Sequence, residues 1–309
     1  VLLSTVAGGT ALVGCSVRQV PPADAAAADP SVPASTSPAP ASAPSTPPST
    51  TVTTTAAVTT PGSSELDAVP PAPVIDGGPR GLATGAKGPA VAALEERLTA
   101  LRFSPGKADA AYDSRLALAV MAFQKQQDLP RTGRADPATL AKLAVAPLGA
   151  PLVAPAEGTR VEIDLKRQIV QFWQDGRLRR VLAVSTGSGQ RYCVPKDKGG
   201  GCDTAITPGG SYRADRKIQG LRVSALGSLY DPVYFFGGIA IHGSPSIPAT
   251  PASHGCVRVA MWESAWVHKT VSVGDPVYVV GGKVAPVPFG ETAPLEAPDE
   301  VTVPTTAVG

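Results

Sequence analysis

The sequence predicts a multidomain chain: a small three-helix bundle followed by a mostly β domain, with proline-rich segments on either side. Three observations carry this. Apolar residues recur at helical spacing over 79–147. From 158 the period changes to the alternation of half-buried strands. Outside these two blocks large apolar residues are scarce. The chain has 309 residues, 43% of them hydrophobic, which is enough for about two ordinary domains. Its 33 prolines and 32 glycines exceed what packed cores use, so part of the length is expected to be linker. A formal net charge of +2 with no block of consecutive basic residues offers nothing to hold a phosphate backbone, so nucleic acid is not expected as a partner.

The first stretch, "VLLSTVAGGTALVGCS", is an apolar run ending in small residues, too short to span a bilayer as a helix and suited to a signal peptide. It ends in Leu12, Val13, Gly14 and Cys15, which resembles a bacterial lipobox, so 1–15 is expected to be a lipoprotein signal with Cys15 as the lipidated residue. Such a lipid would hold an exported protein to the membrane, facing the cell wall or periplasm. Residues 16–78 are dominated by Pro, Ala, Ser and Thr, and 283–309 share that character. With little to bury they cannot offset their ordering entropy, so both are expected to be disordered, the first as a semi-rigid tether.

The block 79–147 reads as three short helices. Val91, Leu94, Leu98 and Leu101 follow Gly88 and Pro89, the proline standing where a first helical turn accepts it. Asp113 is placed to cap a second helix carrying Leu116, Val120 and Phe123. Asp136 and Pro137 start a third with Leu140 and Leu143. These positions, with "AVMAFQKQQDL", Gly133 and "DPATLAKL", resemble the helical peptidoglycan-binding domain of wall enzymes. The resemblance implies a wall ligand, whereas periodicity alone allows a bundle that only spaces the next domain.

Residues 148–157 form a proline-rich hinge, and 158–282 make the β domain. Val161, Ile163 and Leu165 alternate as in a half-buried strand. "QIVQFW", Asp175–Gly176 and "RLRRVLAVSTG" read as a hairpin with a tight turn. "FGGIAI" and "VGDPVYVV" are further strands, and "MWESAWVHKTV" is the one helix-like stretch.

Residues 241–259 hold two of the three histidines and one of the four cysteines. His242 is expected to leave the end of a strand, and Cys256 follows 14 residues later, a separation suited to a loop that folds back. A cysteine becomes a useful nucleophile when a base takes its proton, and histidine suits that task near neutral pH. A sharp turn at Ser253, His254, Gly255 and Cys256 could aim backbone N–H groups at a developing oxyanion.

The run "HGSPSIPATPASHGCVR", with "VSTG" at 184–187 and "TPGGSY" at 207–212, resembles the signature of the L,D-transpeptidase catalytic domain of YkuD type. The resemblance implies Cys256 as nucleophile and His242 as its base, oriented by the Gly243 carbonyl. Ser253 and His254 would shape the pocket, and the N–H groups of His254, Gly255 and Cys256 would form the oxyanion hole. Tyr212 is expected on the substrate side, and Arg258 either binds a substrate carboxylate or braces the loop. Such enzymes attack the third residue of a tetrapeptide stem, expel D-alanine and pass the acyl group to a neighbouring stem's amine, giving a 3→3 cross-link. Two other readings share the sequence: an L,D-carboxypeptidase that trims tetrapeptides, and a wall-binding lipoprotein that is not catalytic.

Cys193 and Cys202 bracket "VPKDKGGG", an inserted loop that a disulfide could clamp in an exported protein. Trp262 and Trp266 are four apart and expected in the core, while His268 is expected on a solvated helix face. No metal or cofactor is expected. The partners are peptidoglycan stem peptides, met by a monomer whose only membrane contact is its lipid anchor.

Overall fold

The computed structural model describes residues 69–154 and 158–289. Cys15, the apolar run before it, the tether up to 68 and the tail from 290 lie outside the described residues.

The helical block contains α1 (Pro89–Ala100), α2 (Ser114–Gln126) and α3 (Pro137–Val145). Each begins on its expected signal. Pro89 occupies the first turn of α1, the Asp113 side chain accepts from the N–H groups of Arg115 and Leu116, and that of Asp136 accepts from Thr139. Each carboxylate cap contributes roughly 1 kcal/mol by pairing amide donors left over at a helix start. Val91, Leu94, Leu98, Leu116, Val120, Phe123 and Leu143 are fully buried, and Leu140 packs against them half-buried.

Two stretches that composition assigns to tethers carry contacts instead. Val69 and Ile75 pack on the bundle, while Val74 between them stays exposed. Arg97, buried in α1, donates to the carbonyls of Leu143, Ala146 and Pro70, tying that stretch to the end of α3. Downstream of 283, Val287 exchanges hydrogen bonds with the Ser211 hydroxyl, and the Phe289 ring lies under the Arg213 guanidinium at 4.0 Å.

The β domain starts with β1 (Arg160–Asp164), β2 (Ile169–Gln174) and β3 (Arg177–Ala183). The β2–β3 hairpin turns on Asp175 and Gly176, both at positive φ, as a tight primed turn requires. Then come the short ribbon β4 (Arg191–Cys193) and β5 (Cys202–Thr204), and β6 (Gly210–Arg213). They are followed by β7 (Arg216–Lys217), β8 (Leu221–Ser224), β9 (Gly227–Phe236) and β10 (Ile239–Ser244). The chain closes with β11 (Val257–Ala260), α4 (Met261–Thr270) and β12 (Pro276–Val280). One sheet runs β3-β2-β1-β12-β6; the other runs β11-β10-β9-β7, with β8 also on β9. Val161, Ile163, Val170, Phe172, Val233, Ile241, Val257, Val277 and Val279 form the core that belongs to this domain alone.

The second core crosses from bundle to sheet. Ile169, Trp173, Leu178, Val181 and Ala183 join the helical residues in one buried cluster. β1 is buried at all five positions, where alternation predicts a half-buried strand. On its second face Arg160 pairs with Glu162 at 2.7 Å and stacks 4.7 Å over Trp173, while the other Glu162 oxygen accepts from Leu152 N–H. Charges so enclosed persist only when paired and hydrogen-bonded.

The two helix tryptophans part company. Trp266 packs edge-on against Phe172 and under Arg180, whereas Trp262 is 39% exposed and reaches Arg115 of α2. Beside it Glu263 accepts from Ser104 of the bundle and Arg180 of β3, so α4 also faces the helical block. His268 is half-buried instead of solvated, because α4 is covered on more than one side. Among the described residues no helix is long and apolar enough to cross a membrane.

Candidate active site

His242 lies inside β10, two residues before its end, because Gly237 and Gly238 form the β9–β10 turn where a continuous strand was expected. Across a parallel pairing its register partner is Arg258 of β11, with Ile241 opposite Val257. Register partners share a sheet face. Cys256 lies in the bend immediately before β11. His242, Arg258 and Cys256 all line one cavity of about 550 Å³.

The His242 ring is fixed by Nδ1, 2.9 Å from the Gly243 carbonyl oxygen. A carbonyl can only accept, so Nδ1 carries the proton and Nε2 is left as the basic nitrogen. Gly243 has no Cβ because α4 lies against it; an added Cβ would stand 2.7 Å from Ser264 Cβ. Burial pushes the His242 pKa below its usual 6.5, partly opposed by the Gly243 hydrogen bond and reinforced by the Arg258 charge. Burial pushes the Cys256 thiol up, against the pull of the Ala240 backbone hydrogen bond and of Arg258. Both directions favour a neutral thiol and a neutral imidazole over a standing ion pair. At rest Sγ has the Gly238 carbonyl as its hydrogen-bond partner, at 3.8 Å.

The turn before Cys256 is braced from within. The Ser253 hydroxyl donates to the Cys256 carbonyl and accepts from Gly255 N–H at 3.0 Å. Gly255 sits at φ +140°, a conformation that L side chains rarely adopt. Its carbonyl accepts from Thr207 Oγ1, which itself accepts from Gly187 N–H. The "VSTG" and "TPGG" elements thus meet behind the turn. The Gly255 N–H is committed to Ser253, which removes one of the three donors expected to face an oxyanion.

His254 is exposed and packs edge-on against Tyr192 of β4, 4.8 Å between centroids. Tyr192, which directly precedes Cys193, carries no signal in the sequence that would place it at the site. Cys193 and Cys202 are joined in a disulfide across the β4–β5 ribbon, which directs the neighbouring register pair Tyr192 and Asp203 into the same cavity wall. A second cavity of about 230 Å³ shares Tyr192, Ser253 and His254 with the first.

Tyr212 is the displaced member of the expected set. It packs against Phe235 and Phe236, and its hydroxyl donates to the Gly209 carbonyl, so it supports the domain core and does not line the cavity. Among the described residues no three His, Cys, Asp or Glu side chains cluster as a metal site.

Residues 158–279 match the L,D-transpeptidase catalytic domain family (YkuD), and 87–143 match a peptidoglycan binding domain family. The crystal structure of an L,D-transpeptidase fragment from Xylanimonas cellulosilytica is 37% identical with a TM-score of 0.60, covering 66% of this chain and 98% of that one. An L,D-transpeptidase from Stackebrandtia nassauensis is 24% identical with a TM-score of 0.38, covering 64% and 94%. No curated protein matches the chain. With more than a third of residues shared over nearly all of the Xylanimonas fragment, the likeness extends past the fold, and the chain belongs to the L,D-transpeptidase family, with a helical peptidoglycan-binding region ahead of its catalytic domain.

Proposed function

We propose that this transpeptidase works through Cys256 and forms 3→3 cross-links between tetrapeptide stems outside the cytoplasm. The observation that carries the reading is the meeting of Cys256, His242 and Arg258 in one cavity, with His242 Nδ1 tied to its own strand. His242 Nε2 takes the thiol proton as Sγ attacks the carbonyl carbon of the third stem residue. The N–H groups of His254 and Cys256 receive the oxyanion. Collapse of the tetrahedral intermediate breaks the bond to the terminal D-alanine, whose amine leaves with the proton from His242. A side-chain amine of a second stem then attacks the thioester, His242 accepts its proton, and the thiol is restored when that proton returns to sulfur. Arg258 adds to the burial that keeps His242 unprotonated at rest and partly offsets the burial that disfavours the Cys256 thiolate, two effects of one positive charge. The lipobox-like residues ending at Cys15 support a lipid anchor, with the helical block as the wall-binding module.

Incubation of the purified protein with a disaccharide tetrapeptide, followed by mass analysis, tests this. Dimers lacking one D-alanine are expected; tripeptide alone would mean that water resolves the thioester, and no product would leave a wall-binding role. Cys256→Ala is expected to abolish product, and surviving turnover would remove Cys256 from the mechanism.

A further inference from the structure

The loop 245–252, which returns the chain from β10 to the Cys256 turn, contains Pro245, Pro248 and Pro251. Each proline lacks an N–H, so the loop is short of donors with which to fix itself, and its carbonyls need donors from elsewhere. The helical block supplies them residue by residue. Ile247 packs into the core that bundle and sheet share. Lys125, fully buried near the end of α2, donates to the Pro248 carbonyl at 3.4 Å and to the Val184 carbonyl at 2.8 Å. Arg131, in the segment between α2 and α3, donates to Ala249 at 3.1 Å and to the Lys166 carbonyl at 2.9 Å.

The catalytic domain takes over at the next residues. Ser185 Oγ donates to the Thr250 carbonyl, and the N–H groups of Ala252 and Ser253 donate to Thr186 O. Val184, the other partner of Lys125, directly precedes Ser185 and Thr186. One ammonium thereby joins the loop to the strand end that anchors its far side. Enclosing an ammonium is costly, and this arrangement spends that cost on two main-chain carbonyls.

We infer that Lys125 and Arg131 of the peptidoglycan-binding region are positioning residues for the transpeptidase reaction, holding the 245–252 loop so that Cys256 meets His242 in register. The inference rests on the reading of Cys256 as nucleophile. It gives the helical block a second task besides any ligand of its own: it completes the scaffold of the active site.

The test uses the full chain with Arg131→Ala, Arg131→Lys and Lys125→Met. The readouts are kcat and KM on the disaccharide tetrapeptide and amide hydrogen exchange. For Arg131→Ala, exchange at the amides of 246–253 is expected to quicken while the α1 and α2 amides hold. In the same variant kcat is expected to fall about tenfold or more, the scale set by small misplacements of reacting groups, with KM within about twofold. Arg131→Lys, which keeps one donor, should recover most of the rate. Unchanged loop exchange with wild-type kcat in Arg131→Ala would overturn the proposal, as would exchange that rises evenly through the bundle. Lys125→Met should give the larger effect, and if it does not fold, Arg131→Ala still decides. A wild-type chain without turnover would refute the proposed function, while the exchange readout would still report on the loop.

Discussion

Replacing Gly243 with alanine perturbs His242, the proposed base, and the helix packed behind it with a single methyl group. The added Cβ would lie 2.7 Å from Ser264 Cβ, 3.0 Å from Ser264 Oγ and 3.1 Å from Tyr230 Cβ. Against an ordinary contact of about 3.4 Å or more, α4 must withdraw by roughly 0.7 Å, since none of these atoms is the far end of a flexible side chain. Ser264 resists that movement, because its hydroxyl is engaged with Asp231 Oδ2 and the Met261 carbonyl. Overpacking of this kind costs about 1–3 kcal/mol. For a folded region of this size each kcal/mol lowers Tm by about 2–4 °C, so a fall of roughly 2–12 °C is expected in a thermal melt. The Gly243 carbonyl also holds His242 Nδ1, so the same displacement should lower kcat more than the lost stability explains at 25 °C. A Tm within 1 °C of wild type, with unchanged kcat, would refute the close packing and the role of this carbonyl together.

Four further outcomes follow from the same geometry. In a pH–rate profile the acid limb should fall below the ordinary histidine value of about 6.5 and the basic limb above that of a free thiol, because burial lowers His242 and raises Cys256. Arg258→Met should move both limbs to higher pH, since its charge pulls both groups down; a shift to lower pH would contradict the assignment. Burial, with the Arg131 charge beside it, lowers Lys125 to about 7 from an unfolded value near 10.5. Between those values only the unfolded chain binds the proton, so stability should rise across pH 7 to 10.5 by a few kcal/mol. Denaturant titrations of the wild type and Lys125→Met should differ by that slope. Reduction of the Cys193–Cys202 disulfide, which closes a loop of about ten residues, should cost the β4–β5 ribbon roughly 2–3 kcal/mol and loosen Tyr192 against His254. Exchange at 191–204 checks this, and a ribbon equally protected after reduction would count against the clamp.

How much of this was legible depends on whether a residue's role is local. Asp113 and Asp136 cap the helices they precede, and Asp175–Gly176 makes the hairpin turn. Each of these acts within three residues of itself, so a short window contains the whole cause. His242 and Cys256 were visible for a different reason: the chemistry of their side chains is rare enough to mark a site before any fold is known. Tyr212 shows the limit of that reasoning, since it belongs to a recognisable stretch yet meets Phe235 and Phe236 in place of the cavity.

What periodicity could not show are the polar residues that tertiary packing encloses. Lys125, Arg160 and Glu162 occupy positions that a helical or alternating pattern assigns to solvent, Gln124 and Arg97 stand at the edge of their helices' apolar stripes, and all five are buried. Two of them are satisfied by groups far along the chain: Lys125 by Val184, and Arg97 by Leu143 and Ala146. The pattern marks where apolar surface must be covered and says nothing of what covers it, so a second domain laid on the outer face of a sheet turns predicted surface into core. The same argument separates Trp262 from Trp266, whose equal helix phase is overridden by two different neighbours, Arg115 of the bundle and Phe172 of the sheet. The loop 245–252, with its three prolines, therefore accepts hydrogen bonds from Lys125 and Arg131, two charges that look solvated in the sequence and belong to a region whose own signature points elsewhere.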